Sequence, residues 1–127
     1  MKRDDIDNLD VYNMSMAISD EVWEIVQRFN DFNKHSIGLQ IVRSADSISA
    51  NISEGYGRGS FADRSRFAKI SRGSLFETIH WTKKSKRRKL LTDKEFKEIF
   101  EIIDVLLPKL SAYINYLDEK SKKKKSK

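Results

Sequence analysis

A chain of 127 residues, 39% hydrophobic and 35% charged, has the length of one ordinary domain and can bury roughly two-thirds of the surface exposed when unfolded. It contains no Cys, which excludes disulfides, thiolate metal sites and thiol catalysis, and no apolar run approaches the roughly 20 residues that span a membrane. The net charge of +6 is focused: residues 83–89 (KKSKRRK) and 120–127 (KSKKKKSK) each hold six basic residues and no acid, so the remaining 13 basic residues face all 19 acids and leave the rest at −6.

The first ten residues, MKRDDIDNLD, lack the apolar segment of a secretory signal, and the cytoplasm is the expected compartment. Over residues 11–30, Ile18, Val22, Ile25, Val26 and Phe29 fall on one face of a first helix, and residues 31–36 (DFNKHS) read as the turn after it. A second helix over residues 37–54 carries Ile41, Ala45, Ile48 and Ile52 at spacings of four, three and four, a narrow apolar seam suited to helix packing. Gly55 and Gly57 are expected to end it. Ser60 with Asp63 resembles a capping box and opens a third helix running to residue 84, whose Ala68, Ser71, Leu75, Ile79 and Thr82 face the core. Thr92 and Glu95 form a second capping box. In the helix it starts, Phe96, Ile99, Ile103, Leu106, Leu110, Tyr113 and Leu117 alternate at three and four, and Pro108 predicts a bend.

Period, caps and short connections together predict an all-α fold, an antiparallel up-down-up-down four-helix bundle spanning residues 1–119, with a disordered Lys-rich tail at 120–127. In that topology the glycine-rich connection at 55–60 and the tail share one end, and residues 83–89 lie at the other. Both ends are then basic.

The back of the second helix is unusual. Arg43, Ser47, Ala50 and Glu54 repeat the seam's spacing with Ser44 and Asn51 beside them, so this face is small and polar rather than Lys/Glu-rich. Small side chains admit a neighbouring backbone, while Arg, Asn and Glu supply directional hydrogen bonds that need partners. The face suits either a helix sandwiched between two neighbours of its own bundle or a contact between subunits. Arg43 and Glu54 lie about 16 Å apart along the axis and cannot pair with each other. Glu54 and Asn51 are expected to satisfy donors where the helix ends.

From Gln40 onward the chain resembles the bacterial four-helix-bundle proteins encoded in intervening sequences of 23S ribosomal RNA genes. Gln40, Arg43, Ser44, Ala45, Ser47, Ile48 and the run 51–55 (NISEG) carry the resemblance, followed by Arg58 and, in the third helix, Phe67, Ser74, Leu75 and Glu77. Ser71-Arg72-Gly73 departs from the small-residue pair expected before Ser74. The resemblance implies a left-handed bundle assembled into a ring, a pentamer by preference, with a suspected nucleic-acid role and no established enzymatic activity. Distantly similar accessory proteins of diversity-generating retroelements form basic rings that bind reverse transcriptase and nucleic acid. The family name records a gene location and leaves the biochemistry open.

Residues 55–59 (GYGRG) look like a phosphate loop, but such loops follow a strand and open a helix, whereas these glycines follow a helix. What remains there is Arg58, Arg64 and the free amides at the start of the third helix, able to hold a backbone phosphate. His35 and His80 stand 45 residues apart with no metal-ligand spacing, and no carboxylate pair sits in an apolar setting, so neither a metal nor a catalytic residue nor a cofactor is assigned. Lys83, Lys84, Lys86, Arg87, Arg88 and Lys89 exceed what a helix C-terminus needs to offset its dipole. They are the main candidate nucleic-acid contacts, with Arg58, Arg64 and the tail as helpers. Arg43, Ser47, Ala50, Asn51, Glu54 and Gly55 are the candidate subunit contacts. The expected function is non-enzymatic: a homo-oligomer that binds nucleic acid, structured RNA by preference. The alternative is a scaffold that docks a nucleic-acid enzyme such as a reverse transcriptase.

Overall fold

The computed structural model describes residues 3–125, with side chains described for residues 5–123. A short 3-10 turn, Arg3–Asn8, precedes helix α1, Asp10–Val26. Its last turn gives way at residues 27–30, four residues before the expected end. There Asn30 takes extended backbone angles and its side chain accepts from the Asn33 amide at 2.9 Å, a helix N-cap. The segment expected as a turn is therefore helical. One α-turn, Asp31–Asn33, runs through a π-helical stretch, Lys34–Gly38, into helix α2, Leu39–Arg58.

Helix α2 passes through both Gly55 and Gly57, contrary to expectation, and ends at Gly59, whose φ of +86° is the left-handed cap conformation that only Gly adopts cheaply. Ser60 then caps α3, Phe61–Arg87, by accepting from the Asp63 amide at 3.0 Å. Helix α4, Asp93–Lys125, opens with the full reciprocal box: the Thr92 amide donates to Glu95 Oε1 at 2.9 Å and the Glu95 amide to Thr92 Oγ1 at 3.1 Å. It continues past Pro108 and reaches Lys125, where the sequence reading placed an unstructured tail from Lys120. Residues 126 and 127 of that tail lie outside the described residues.

Helix α1 packs on α2 and α4, and α3 packs on the same two, which closes a bundle of four helices. The contacts run end to start along each neighbour. Gly55 of α2 lies against Phe67 of α3, and Ser44 accepts from Thr78. Between α3 and α4, Ser65 meets Asp118 and Arg72 meets Ser111, while Asp10 and Arg28 of α1 meet Lys109 and Glu95 of α4. One apolar core runs the length of the bundle and includes the seam Ile41, Ala45, Ile48 and Ile52. The stripes of α1 and α4 join it as their spacing predicts, with Phe96 and Tyr113 at its margin. No strand occurs among the described residues.

The α2–α3 contact is different in kind. Ser71 Oγ donates to the Ile48 carbonyl at 2.7 Å, Ser74 to Ser47 Oγ at 2.9 Å and Thr78 to Ser44 Oγ at 3.0 Å. Small hydroxyl side chains let the two backbones approach while these buried hydroxyls keep partners. The approach is close at Gly55, where an added Cβ would stand 2.7 Å from Phe67 Cβ and 3.2 Å from Arg64 Cα.

Candidate nucleic-acid interface

Helix α3 ends among cations. Its last turns hold Lys83, Lys84, Lys86 and Arg87, which with His80 and Phe96 of α4 line an open cavity of about 550 Å³. No carboxylate lines that cavity among the described residues. Lys86 pairs with Asp93 at 2.8 Å, and this ammonium holds the Asp93 carboxyl below its ordinary range. Lys83, Lys84 and Arg87 have no side-chain partner among the described residues, nor have Arg88 and Lys89 just beyond the helix. The five therefore present uncompensated charge.

The chain leaves α3 through a motif that satisfies its last carbonyls: the Leu90 amide donates to the Ser85 carbonyl at 2.9 Å and the Lys89 amide to the Lys86 carbonyl at 3.0 Å. Lys89 sits at the left-handed position of that motif with φ +61°, where Gly is usual. A cation is thus kept at a strained site, and Leu90 packs back onto the core and fixes the direction of exit.

The opposite end is less suited to phosphate. Arg58 is paired with Glu54 at 3.2 Å and its guanidinium stands 5.0 Å from the Phe67 ring. Arg64 is half-buried over the Tyr56 ring at 4.2 Å. The α3 N-terminus already carries an anion, Asp63, whose carboxyl is held below its ordinary range chiefly by a hydrogen bond from Arg66. A phosphate there would meet that carboxylate. Arg64 and Lys83 are also separated by about 28 Å along α3, so Arg58 and Arg64 do not join the cavity cations in one site.

The candidate subunit face divides. Ser47, Asn51 and Gly55 are used within the chain: Asn51 Nδ2 donates to the Ser47 carbonyl at 2.8 Å and to its hydroxyl at 2.9 Å, and Gly55 is buried against α3. The sandwich reading accounts for these three. Arg43, Ala50 and Glu54 are exposed, and Arg43 has no partner among the described residues. Glu54 accepts from Arg58, the last residue of α2, at 3.2 Å, so it does hold a donor at the helix end, in an exposed pair.

His35 Nδ1 lies 2.7 Å from the Asp31 carbonyl and His80 stands edge-on to Trp81 at 4.8 Å. Among the described residues no group of three His, Cys, Asp or Glu is placed to hold a metal ion, and no helix is long and apolar enough to cross a membrane. Phe96 of the cavity wall was legible only as a core residue, since its place beside Lys83 depends on how α3 and α4 meet.

An all-helical bundle of four helices, with five unpaired cations gathered where α3 gives way to α4, is the class of protein defined by this fold and site. More specifically, the chain belongs to the 23S rRNA-intervening sequence protein family, which it matches over residues 7–112. It is also similar to the crystal structure of a protein with unknown function from the S23 ribosomal protein family of Bacteroides thetaiotaomicron. The TM-score is 0.75 at 24% identity, over 82% of this chain and 97% of that one, a likeness that shows the fold. No curated protein matches the chain.

Proposed function

We propose that this protein is a non-enzymatic, cytoplasmic homo-oligomer, a pentamer by family resemblance, that binds nucleic acid, structured RNA by preference, through phosphate contacts at the end of α3. The observation that carries the proposal is the cavity walled by Lys83, Lys84, Lys86 and Arg87 without a carboxylate, three of these four cations having no partner. Free cations gain counterion-release free energy on meeting phosphate, whereas a cation already paired must first give up its carboxylate. The helix also fixes the backbone that carries these charges before binding, so no chain entropy is lost there.

Replacing Lys83, Lys84 and Arg87 together with Gln tests this by fluorescence anisotropy on unrelated RNA sequences across salt. Affinity should fall alike for all sequences, and the slope of log K against log salt should flatten by roughly three units, about one per lost phosphate contact. Unchanged affinity and slope, or no binding of RNA or DNA by the unsubstituted protein at low salt, would defeat the proposal.

A second reading, a scaffold that docks a nucleic-acid enzyme, is favoured by a different surface. Trp23 and Leu39 are exposed beside a cavity of about 210 Å³ between α1 and α2. Docking through that apolar surface would depend little on salt, the opposite of phosphate binding.

A further inference from the structure

Positions 76, 80, 83 and 87 follow one another at spacings of four, three and four, so Phe76, His80, Lys83 and Arg87 form one strip along α3. All four are exposed, and Phe76 retains 55% of its surface to solvent. Across the groove, α4 contributes Phe96 and Phe100, with ring centroids 4.6 Å apart and planes tilted by 38°. His80 and Phe96 line the same cavity as the cations. Two rings are therefore followed by two cations along the strip, and the cavity brings His80 and Phe96 beside Lys83, Lys84, Lys86 and Arg87.

The packing explains only part of this. Phe96 and Phe100 rest partly against the core, but Phe76 and His80 face solvent, where a Lys or Glu would serve the helix better. Duplex nucleic acid has no use for these rings, because its base faces are already stacked and only phosphates, sugars and groove edges are on offer. A single strand exposes base faces, and each base stacked on an aromatic side chain adds about tenfold or more to affinity. The cavity of about 550 Å³ lies within the range of about 300–1,000 Å³ common for small-ligand sites, enough to receive an unstacked nucleotide.

We infer that the α3–α4 groove is a single-strand site, where Phe76, His80 and Phe96 stack bases while Lys83, Lys84 and Arg87 hold the adjoining phosphates. This deepens the nucleic-acid reading and rests on it: the preferred target becomes the loop, bulge or end of a folded RNA rather than its helical stem. Charge complementarity selects a polyanion over an apolar peptide, since three cavity cations lack partners, and the planar rings beside them favour nucleobases over the side chains of an acidic peptide.

The test compares a labelled oligouridylate of about ten nucleotides, within the span one single-strand module covers, with an RNA duplex of equal length. Phe76→Ala is the decisive variant because its ring is exposed and its loss leaves the core intact; Phe96→Leu keeps apolar volume at the margin of the core. The single strand should bind more tightly at matched salt. Each substitution should weaken it about tenfold while leaving duplex affinity and both salt slopes unchanged, because a ring releases no counterions. Lys83→Gln with Arg87→Gln should instead flatten the slope for both ligands. Equal binding of strand and duplex, or single-strand affinity untouched by Phe76→Ala, overturns the inference and leaves the cationic reading standing. Failure of both ligands to bind at low salt overturns both and leaves the strip to a protein partner.

Discussion

Three glycine-type positions separate packing from backbone conformation. Gly55 and Gly57 both lie inside α2, where Ala outranks Gly by roughly 0.5–1 kcal/mol of helix propensity. At Gly57 nothing lies within 4 Å of an added Cβ, so Gly57→Ala should stabilise by about that amount. At Gly55 the 2.7 Å clash with Phe67 Cβ and the close Arg64 backbone outweigh the propensity gain, and Gly55→Ala should cost about 1–3 kcal/mol. Lys89 is the converse case. Its φ of +61° is unfavourable for a side chain, so Lys89→Gly should gain about 0.5–1 kcal/mol while losing one exposed cation. Urea denaturation of the three variants checks all of these signs, and Glu54→Ala, an exposed pair with Arg58, should stay within about 0.5 kcal/mol.

Between elements, the seam of α1 with α4 has its own electrostatics. Glu21 faces Glu98 there, in a cleft that also holds Glu24, Arg28 and Glu95. The Glu21 carboxyl is pushed above its ordinary value of 4.5, first by burial, then by a hydrogen bond shared with Glu98, then by the charges of Glu98 and Glu101. The folded state therefore holds this proton more tightly than the unfolded chain, and stability falls as pH rises through and above 4.5. Glu21→Gln keeps a neutral hydrogen-bonding group and removes the liability. Thermal scans should show a Tm above the parent's at pH 7 and no gain at pH 4; equal Tm values at both would show that the charged Glu21 carboxylate carries no such penalty.

The same scale shows what was legible in the residues. Capping boxes at Ser60 and Thr92 and the heptads of α4 are local signals, so they located helix starts and core stripes correctly. The end of α2 was not local: Gly55 is there for the approach of α3 rather than for a turn. Ser44, Ser47 and Asn51 announced a close neighbour without saying which one, and two of their partners, Thr78 and Ser74, stand more than twenty residues away. The cation cluster was plain in composition. Its aromatic wall was not, because Phe96 reaches Lys83 only after the chain has turned back.

For the whole molecule, the consequence of assembly is multiplication of charge. Once α3 has taken up Ser47 and Gly55, and Asn51 has bonded back to Ser47, the surface left along α2 and α3 includes Arg43, Ala50, Ile70, Gly73 and Glu77, all exposed. It offers an apolar residue, two positions without bulk and two opposite charges, with neither Arg43 nor Glu77 partnered among the described residues. In a closed heterologous ring, one protomer's Arg43 would meet an acceptor on the next, and every α3 terminus would be repeated around a common axis. Binding several phosphates of one RNA through linked copies then raises apparent affinity far beyond that of a single bundle. Light scattering at micromolar concentration should return a multiple of the 14.8 kDa chain mass, fivefold if the ring is a pentamer. Arg43→Glu should shift that mass toward one chain with helix content intact, and should weaken binding of a long RNA more than that of a short oligonucleotide. A monomer mass for the unsubstituted protein would remove the ring, and the basic end of α3 would then have to act as a single copy.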